Sequence, residues 1–360
     1  MTHEASRSAP SGSAVRELGA AETGRWSAYV ERHPDGTLYH TLAWQDVVRE
    51  AFGHAPRYLL YEEGDAVRGV LPAFRVACPV LGAKLISLPY DIGSSLLTTD
   101  ERAERALVAR AVELARESRV SYLELRCGER HPVIEAMGFR SSEPVLLSDI
   151  VLDDAEKVWS RVSKKHRQYV RLAERQGVAI REATSLDEYH TFYQVYLRVF
   201  RAFGTPPYGA RYMDVLWHRL HAGQLVRVFL AEANGRCVGG QLLLRHGATL
   251  INKLTITLAE AEPLRAATAL YARAIQWGLE LGCRRLSLGS SSRAQTGLRT
   301  FKERWGAQSR PAVVYGLPVR GHIPSLERYY ESGGLARRVW RRLPLGVTRV
   351  VGGVLNRWFC

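Results

Sequence analysis

The pattern of apolar and polar positions predicts the same order of elements, β-β-β-α-β-α, in each half of the chain. Alternating apolar positions indicate the strands, and apolar residues three and four apart indicate the helices. In the first half, the pattern predicts strands at 57–61, 67–76, 85–89 and 121–126, and helices at 101–118 and before Phe139. In the second half, it predicts strands at 226–231, 237–245, 249–257 and 284–288, and helices at 264–281 and before Ala307.

Equivalent positions in the two halves are separated by a nearly constant number of residues. The offset is 170 residues for Tyr58 and Val228, 170 for Gly69 and Gly239, and 168 for Met137 and Trp305. Such elements recur by chance in α/β proteins, but a constant offset favours an internal duplication. We therefore expect a disordered segment at 1–14, a first unit at 15–150, a second unit at 151–320 and a tail at 321–360.

Composition adds a strong positive charge. The chain has 360 residues, a formal net charge of +14 and a pI near 9.8. This charge favours an anionic partner such as a nucleotide, tRNA, a lipid phosphate or a membrane surface, and it does not choose among them. The five cysteines have no Cys-x-x-Cys spacing, so they indicate neither zinc nor a redox pair. Because the N-terminus has no apolar signal core and no apolar run reaches about 18 residues, we expect a cytoplasmic protein.

The stretch 284–306 contains the most specific chemistry of the sequence. An alternating strand pattern runs into the Gly-Ser-Ser-Ser sequence at 289–292, which predicts a turn whose N–H groups can approach an oxyanion. Apolar residues at helical spacing follow between 298 and 305, with Lys302 beside the apolar face. Together these elements predict an anion site. The alternative is an ordinary strand-to-helix connection with a surface lysine.

Two other segments are strongly basic. Residues 161–175 predict a basic helix with a single acidic residue, which either holds phosphates or is a solvated helix face. Residues 335–360 contain six arginines and no acidic residue, interleaved with apolar residues. This tail either lies on an anionic membrane surface, at the inner face of the plasma membrane, or packs its apolar stripe on the second unit.

Several motifs resemble those of the Fem-like transferases, the peptidoglycan-bridge aminoacyltransferases. The resemblance is strongest to the Fem-like proteins found beside bacterial exosortase and exopolysaccharide loci, and it covers about residues 35–320. It rests on HTLAW at 40–44, GVLP at 69–72, LISLPY at 85–90, YLELR at 122–126, the basic helix at 164–177 and FKERWG at 301–306. It implies an α/β (α+β) protein of two tandem GNAT-like acyl-CoA N-acyltransferase folds, each with a mixed central sheet flanked by helices.

The resemblance also implies an activity, namely amide formation on an amine of a cell-envelope or exopolysaccharide precursor. Lys302 matches the lysine of the family's FK-x-x-[FW]-G motif, for which a role in stabilising the oxyanion is implied. A cation aimed at a developing oxyanion is a large catalytic effect. The basic helix implies contact with a phosphate-bearing precursor or tRNA through Lys164, Lys165, Arg167 and Arg171.

Other candidates come from their positions along the chain. Asp91 follows a strand at the expected cleft edge and either accepts the amine proton or is a turn residue. Ser290 either donates a hydrogen bond to the oxyanion or ends its strand. Arg126 either pairs with a glutamate on its own strand or lines the cleft, where Tyr90 is a further substrate-binding candidate. Lys253 needs a partner if it is buried, or it binds substrate.

The acyl donor is the least determined part of this hypothesis. A GNAT that binds acetyl-CoA carries a glycine-containing pyrophosphate loop, but residues 259–264 contain no glycine and two acids. We therefore expect aminoacyl-tRNA as co-substrate, with no bound cofactor and no metal. Two alternatives remain, an acyl-CoA-dependent N-acetyltransferase and a catalytically inactive adaptor of envelope machinery.

Overall fold

The structure, a computed structural model, describes residues 13–78, 82–93, 95–323 and 334–358, with only the main chain of Leu335. Of the segment 1–14 predicted to be disordered, residues 1–12 lie outside the described residues. Ser13 and Ala14 belong to the first strand, so the prediction was wrong for these two positions. Residues 324–333 and 359–360 of the predicted tail also lie outside the description.

The first half of the chain contains the predicted elements with one correction. Its strands are β1 (Ser13–Glu17), β2 (Ala55–Pro56), β3 (Leu59–Glu63), β4 (Ala66–Leu71), β5 (Ala73–Cys78), β6 (Gly82–Ser87), β7 (Leu97–Thr98), β8 (Tyr122–Arg126) and β9 (Arg140–Val151). Its helices are α1 (Thr23–Arg32), α2 (Leu42–Phe52), α3 (Glu101–Glu117) and α4 (Pro132–Ala136). The single strand predicted at 67–76 is two strands, because Pro72 has no N–H to continue the ladder, and β4 and β5 join different sheets.

The second half repeats this order and adds helices that the apolar pattern did not predict. Its strands are β10 (Ala179–Glu182), β11 (Val226–Ala233), β12 (Arg236–His246), β13 (Thr249–Thr257), β14 (Arg285–Ser292) and β15 (Gln308–Pro318). Its helices are α5 (Ala155–Arg161), α6 (Lys164–Arg175), α7 (Leu186–Phe203), α8 (Ala210–Leu220), α9 (Ala266–Glu280), α10 (Thr296–Glu303), α11 (Gly334–Arg342) and α12 (Leu345–Trp358).

The two units share a local irregularity that supports the duplication. In the hairpin β3–β4, Gly69 lies opposite Tyr61, and in β11–β12, Gly239 lies opposite Ala231. The register shifts immediately after each of these pairs. A Cβ on Gly69 would lie 2.9 Å from a leucine methyl, and one on Gly239 would lie 2.7 Å from a carbonyl oxygen. Both positions therefore require glycine, as close backbone approach often does.

The two units exchange their last strands. The larger sheet has the order β10-β11-β12-β13-β14-β9-β15-β8-β6-β5-β2, and the smaller one β1-β3-β4-β7. Strand β9, which ends the first unit, pairs with β14 of the second, whereas β15, which ends the second unit, pairs with β8 of the first. Strands β9 and β15 also pair with each other. A continuous sheet therefore crosses the boundary predicted at residues 150 and 151, which stays a prediction.

Helices cover the larger sheet on both faces. Helix α9 packs on β11 to β14 over a core that includes Leu250 and Leu286. On the other face, α2 from the first unit packs against α8 from the second, and their core includes Trp44, Tyr196 and Leu242. Helices α11 and α12 dock on α7. Among the helices of the described segments, none is both long and apolar enough to cross a bilayer.

Candidate active site

The second unit contains a wedge between two parallel strands. Strands β13 and β14 pair only over three residues each, Thr249–Ile251 with Arg285–Ser287. Beyond Ser287, β14 bulges, its register with β9 shifts, and Gly289 adopts a positive φ of 67°. A positive φ is readily accessible to glycine. The strands diverge here, so main-chain groups of β14 are free to bind side chains instead of β13.

Lys302 uses these main-chain groups. Its Nζ donates hydrogen bonds to the carbonyls of Gly289 and Ser290, at 2.9 and 3.0 Å. Only 2% of Lys302 is exposed. Burial lowers the pKa of Lys302 to about 8, and the nearby carboxylate of Asp149 opposes this shift. The third N–H of the ammonium has no partner within the described part of the chain, so it can donate to a bound acceptor.

The turn predicted at 289–292 is absent, which corrects the prediction for Ser290. Strand β14 continues to Ser292, and Ser290 pairs with Leu147 on β9. Ser290 therefore does not end its strand, and its carbonyl rather than its hydroxyl contacts Lys302. The anion-binding N–H groups expected from a Gly/Ser turn are replaced by carbonyls that hold a cation. The catalytic role suggested for the Ser290 hydroxyl stays a prediction.

A second cluster lies where the first unit meets β13. Leu88 and Tyr90, in the turn after β6, have positive φ values of 44° and 70°. Each such non-glycine residue costs about 1–3 kcal/mol and persists only when its surroundings hold it. Here the carbonyl of Asp91 accepts a hydrogen bond from Arg126 Nη1 at 2.7 Å, and the carbonyl of Tyr90 accepts one from Lys253 Nζ at 2.5 Å.

Lys253 reaches this turn because of a bulge in β13. The register of β12 and β13 shifts around it, so Lys253 is the extra residue of the bulge. Its ammonium lies 5.3 Å from the ring centroid of Tyr39 and 5.7 Å from that of Trp44. Burial lowers the pKa of Lys253 to about 8, while Asp91 raises it and Arg126 lowers it further. Lys253 is only partly buried, and its hydrogen-bond partner is a carbonyl of the first unit. Contact of Lys253 with substrate stays a prediction.

The carboxyl group of Asp91, which the sequence predicts to accept the amine proton, has a shifted pKa. Burial raises the pKa of its carboxyl group, and Lys253 together with the amides of Gly93 and Ile92 opposes the shift. Its Oδ2 accepts the N–H of Gly93 at 2.9 Å. A raised pKa makes the carboxylate a stronger base than an exposed aspartate. Tyr39, whose ring lies beside the ammonium of Lys253, was missed from the sequence, because an aromatic residue within an apolar segment gives no signal beyond core packing.

Arg126 holds the turn in place. Its Nε pairs with Glu124 at 2.8 Å, and both side chains are buried. Since Nη1 is bound to the carbonyl of Asp91, the geometry gives Arg126 a positioning role. Tyr90 is likewise buried, and its hydroxyl lies 2.9 Å from Nε2 of His54. Direct contact of Arg126 and Tyr90 with substrate stays a prediction.

The basic helix α6 packs beside Lys302. The ring of His166, only 2% exposed, lies 5.3 Å from that of Phe301 on α10 and 5.2 Å from that of Trp305, which follows this helix. Lys164, Lys165 and Arg171 are exposed. Arg167 differs from them, because its Nη1 donates to the carbonyls of Trp159 and Val162 at 2.9 and 2.5 Å. This predicted substrate-binding arginine therefore stabilises the end of α5 and the turn after it.

The N-termini of the two long helices differ. Asp100 caps helix α3, because its carboxylate accepts the N–H of Ala103 at 2.8 Å and so occupies the anion-binding end. Arg265 precedes helix α9, at a φ of 60°, and its side chain makes no capping hydrogen bond. The guanidinium of Arg265 lies 4.4 Å from the ring centroid of Tyr169 on α6. Arg265 was not predicted from the sequence, because arginine rarely adopts the left-handed conformation that it has here.

A polar chain lies behind the wedge on buried strands. Gln241 donates to Thr255 at 3.0 Å, Thr255 donates to Asn252 at 2.8 Å, and Asn252 donates to Tyr271 at 3.2 Å. Its signal in the sequence was a set of amides inside strands of otherwise apolar residues. Across the described residues, no three His, Cys, Asp or Glu side chains are grouped to hold a metal ion. The expected absence of metal and cofactor stays a prediction.

Comparison with known proteins supports this architecture. By sequence, residues 160–305 match the family model described as an acetyltransferase (GNAT) domain. By structure, the chain is similar to FemX, with a TM-score of 0.72 and 13% identity over 85% of this chain and 98% of that one. It is also similar to L-PGS from Bacillus licheniformis, with a TM-score of 0.56 and 14% identity over 91% and 98%.

A third similar structure is a tandem GNAT protein from the clavulanic acid biosynthesis pathway. Its TM-score is 0.55 at 16% identity, over 87% of this chain and all of that one. A comparison with curated protein sequences gives no significant match. These similarities confirm the predicted fold of two tandem GNAT-like units. The association with exosortase loci stays a prediction.

Proposed function

We propose that this chain, which has the tandem GNAT fold of the Fem-like proteins, transfers an aminoacyl group from tRNA to an amine of a cell-envelope or exopolysaccharide precursor. The reaction forms a C–N bond at the acyl carbon and breaks the ester C–O bond to the tRNA ribose. An ester is already activated, so the enzyme needs only to orient the substrates, accept a proton and stabilise charge.

The observation that carries the proposal is the geometry of Lys302. Two of its three N–H bonds are directed to carbonyls of the β14 bulge, which fixes the ammonium in a buried position. The third is free of any partner in the described residues. In our proposal, this N–H donates to the oxyanion that develops on the acyl oxygen. A preorganised donor in a dry site contributes about 10²–10³-fold to the rate.

Asp91 serves as the proton acceptor in this proposal. Its carboxylate takes the proton that the attacking amine loses and later returns one to the departing ribose oxygen. Strand β13 connects Lys302 with Asp91. The carbonyl oxygen of its residue Asn252 lies 3.8 Å from the position that a Cβ on Gly289 would occupy, and Gly289 binds Lys302. The next residue, Lys253, binds the turn that carries Asp91.

Acyl-CoA is the second candidate donor. One observation favours it, since the N-terminus of α9 has no acidic residue in its first turn and Arg265 lies at that end. Glu260 and Glu262 are exposed and do not cap the helix. A pyrophosphate at this helix end would gain from its free N–H groups. Against this candidate stands the absence of glycine at 259–264.

The test separates the two donors in one assay. Purified protein is incubated with labelled mixed aminoacyl-tRNA or with labelled acetyl-CoA, together with a lipid-linked or nucleotide-sugar precursor, and transferred label is counted. We expect turnover of charged tRNA that falls about 10²–10³-fold in Lys302→Met. The matched control is Lys157→Met, because Lys157 is an exposed lysine on α5.

Each other outcome has a definite meaning. Turnover of acetyl-CoA alone would replace the tRNA proposal with an acyl-CoA-dependent one. Turnover of neither donor, by protein whose unfolding is cooperative, would contradict the enzymatic proposal and favour the adaptor.

A further inference from the structure

The C-terminal helix α12 buries polar and small residues and exposes apolar ones, which is the reverse of a usual docked helix. The face that docks on the protein is polar or small, with Thr348 and Gly352 buried and Asn356 partly buried. The side chain of Asn356 donates to the carbonyls of Pro206 and Pro207, at 3.1 and 2.9 Å. These three residues are spaced four apart and therefore lie on one side of the helix.

The opposite face of α12 is an exposed apolar stripe. Its residues follow the i, i+3, i+4, i+7 spacing of an amphipathic helix. Their exposed fractions are 42% for Val347, 62% for Val350, 38% for Val351 and 46% for Val354. Val339 on α11 is 54% exposed, and Phe203, at the end of α7 where α11 docks, is 59% exposed. These six residues, the outer apolar face, make up most of the large exposed apolar side chains in the described segments.

The surroundings of the outer apolar face are positively charged. Residues 334–358 contain six arginines and no acidic residue. All six are exposed, and none forms an ion pair with another described residue; they are Arg337, Arg338, Arg341, Arg342, Arg349 and Arg357. A docked helix normally buries its apolar stripe. Here the stripe is exposed and surrounded by arginines, which fits a partner that is apolar inside and anionic at its surface. That combination describes an anionic phospholipid bilayer.

We infer that α11 and α12 bind the surface of an anionic bilayer, with the valines in the acyl boundary and the arginines at the lipid phosphates. Helix α12 also contacts the candidate active site, because the hydroxyl of Tyr90 donates to the carbonyl of Asn356 at 3.1 Å. Bilayer binding therefore brings the Tyr90–Asp91 turn close to the lipid headgroups. The inference rests on the exposed surface and holds whichever acyl donor the protein uses.

The test measures co-sedimentation of the full chain with vesicles, in the absence of any donor or acceptor. One set of vesicles is pure phosphatidylcholine, and the other contains phosphatidylcholine and phosphatidylglycerol in equal amounts. We expect binding to the anionic vesicles that weakens with salt. Arg338→Gln with Arg342→Gln should lower the partition coefficient about thirty-fold. The matched control is Arg105→Gln with Arg116→Gln, two exposed arginines on α3.

A second variant tests the apolar contact. Val350→Glu should lower binding to anionic vesicles at least about tenfold, since it removes an apolar contact and adds a charge opposed to the lipid. Val151→Glu, at a valine 46% exposed on β9, should bind like the unmodified protein. Absence of binding to the anionic vesicles would overturn the inference, as would equal binding by Val350→Glu. A concentration-dependent dimer that Val350→Glu abolishes would also overturn it, because the outer apolar face would then bind a second copy of this chain.

Discussion

Lys253 of the second unit donates a hydrogen bond to the main-chain carbonyl of Tyr90 in the first, 2.5 Å away. This bond fixes a turn that contains two non-glycine residues with positive φ, Leu88 and Tyr90. The residue after Tyr90 is Asp91, so a lysine of one unit determines the position of a carboxylate in the other. The candidate active site therefore depends on both units at once.

This relationship predicts a shift in pH dependence. Lys253 lowers the pKa of Asp91, so Lys253→Met should raise that pKa further and move the acid limb of kcat/KM to higher pH. Hydrogen exchange at the amide of Gly93, which donates to Asp91 Oδ2, should also become faster. An unchanged acid limb together with a lower rate would argue that Lys253 acts on the substrate instead.

Asp91→Asn should remove the acid limb altogether. The raised pKa of Asp91 means that activity falls as pH decreases through that value, because the protonated carboxyl group accepts no proton. We expect a rate about 10²–10⁴-fold lower and independent of pH in this range. The measurement is kcat/KM from pH 4 to 8, with Asp65→Asn as the control, since Asp65 is exposed in a hairpin turn. An acid limb that persists in Asp91→Asn would assign the proton acceptor elsewhere.

Lys302 should make stability depend on pH at alkaline values. Its pKa is about 8 in the folded chain and 10.5 ordinarily, so between these values the unfolded chain binds more protons. The free energy of unfolding should therefore rise with pH across this window, relative to that of Lys302→Met. Below pH 8 both states are protonated and the difference should be constant. Urea midpoints of the two proteins at pH 7.5, 9 and 10.5 test this, and a difference that does not vary with pH would contradict the pKa.

The same pKa predicts the alkaline limb of activity. Only the ammonium form of Lys302 can donate to an oxyanion with full charge, so the rate should fall as pH rises through about 8. Lys302→Arg keeps a cation to a much higher pH, so any activity that this variant retains should lack this limb. Retention of the limb in Lys302→Arg would assign it to another group, such as Lys253.

Substitutions on helix α6 should affect tRNA binding at its exposed lysines and stability at Arg167, which is hydrogen-bonded. Lys164→Gln with Lys165→Gln should weaken tRNA retention on filters and reduce its salt dependence, because both ammonium groups are exposed. Arg167→Gln should leave the salt dependence unchanged and lower the free energy of unfolding by about 1–3 kcal/mol, since two carbonyls lose their donor. A reduced salt dependence in Arg167→Gln, with an unchanged free energy of unfolding, would contradict the role given to Arg167.

The sequence predicted the elements of each unit better than the strand pairing between the units. The Gly69 and Gly239 landmarks lie at matching hairpin bulges, because both depend on a local requirement for glycine. By contrast, the positions of β9 and β15 depend on which distant strand each one pairs with, and apolar alternation does not encode a partner. Pro72 was the local signal that β4 and β5 are separate, and the pattern alone did not use it.

For the candidate site, the sequence indicated individual residues but not the contacts between them. Lys302 was singled out because it lies beside an apolar helical face in the FKERWG sequence, and Asp91 because it follows a predicted strand. The contacts of Lys302 were not predicted, since a bulge at Gly289 converts an expected turn into strand. The contact between Lys253 and Tyr90 was not predicted either, because it links residues 163 positions apart.

The exchange of β9 and β15 has a consequence for how the protein can be divided. A cleavage between Val151 and Asp154 would leave two fragments that remain joined through the ladders of β9 with β14 and of β15 with β8. The segment 160–305 that matches the GNAT family ends before β15 and begins after β9, so it contains neither of the exchanged strands. A chain consisting of one unit alone would lack the strand of the other unit with which its last strand pairs here, and a second copy could supply that strand by domain swapping.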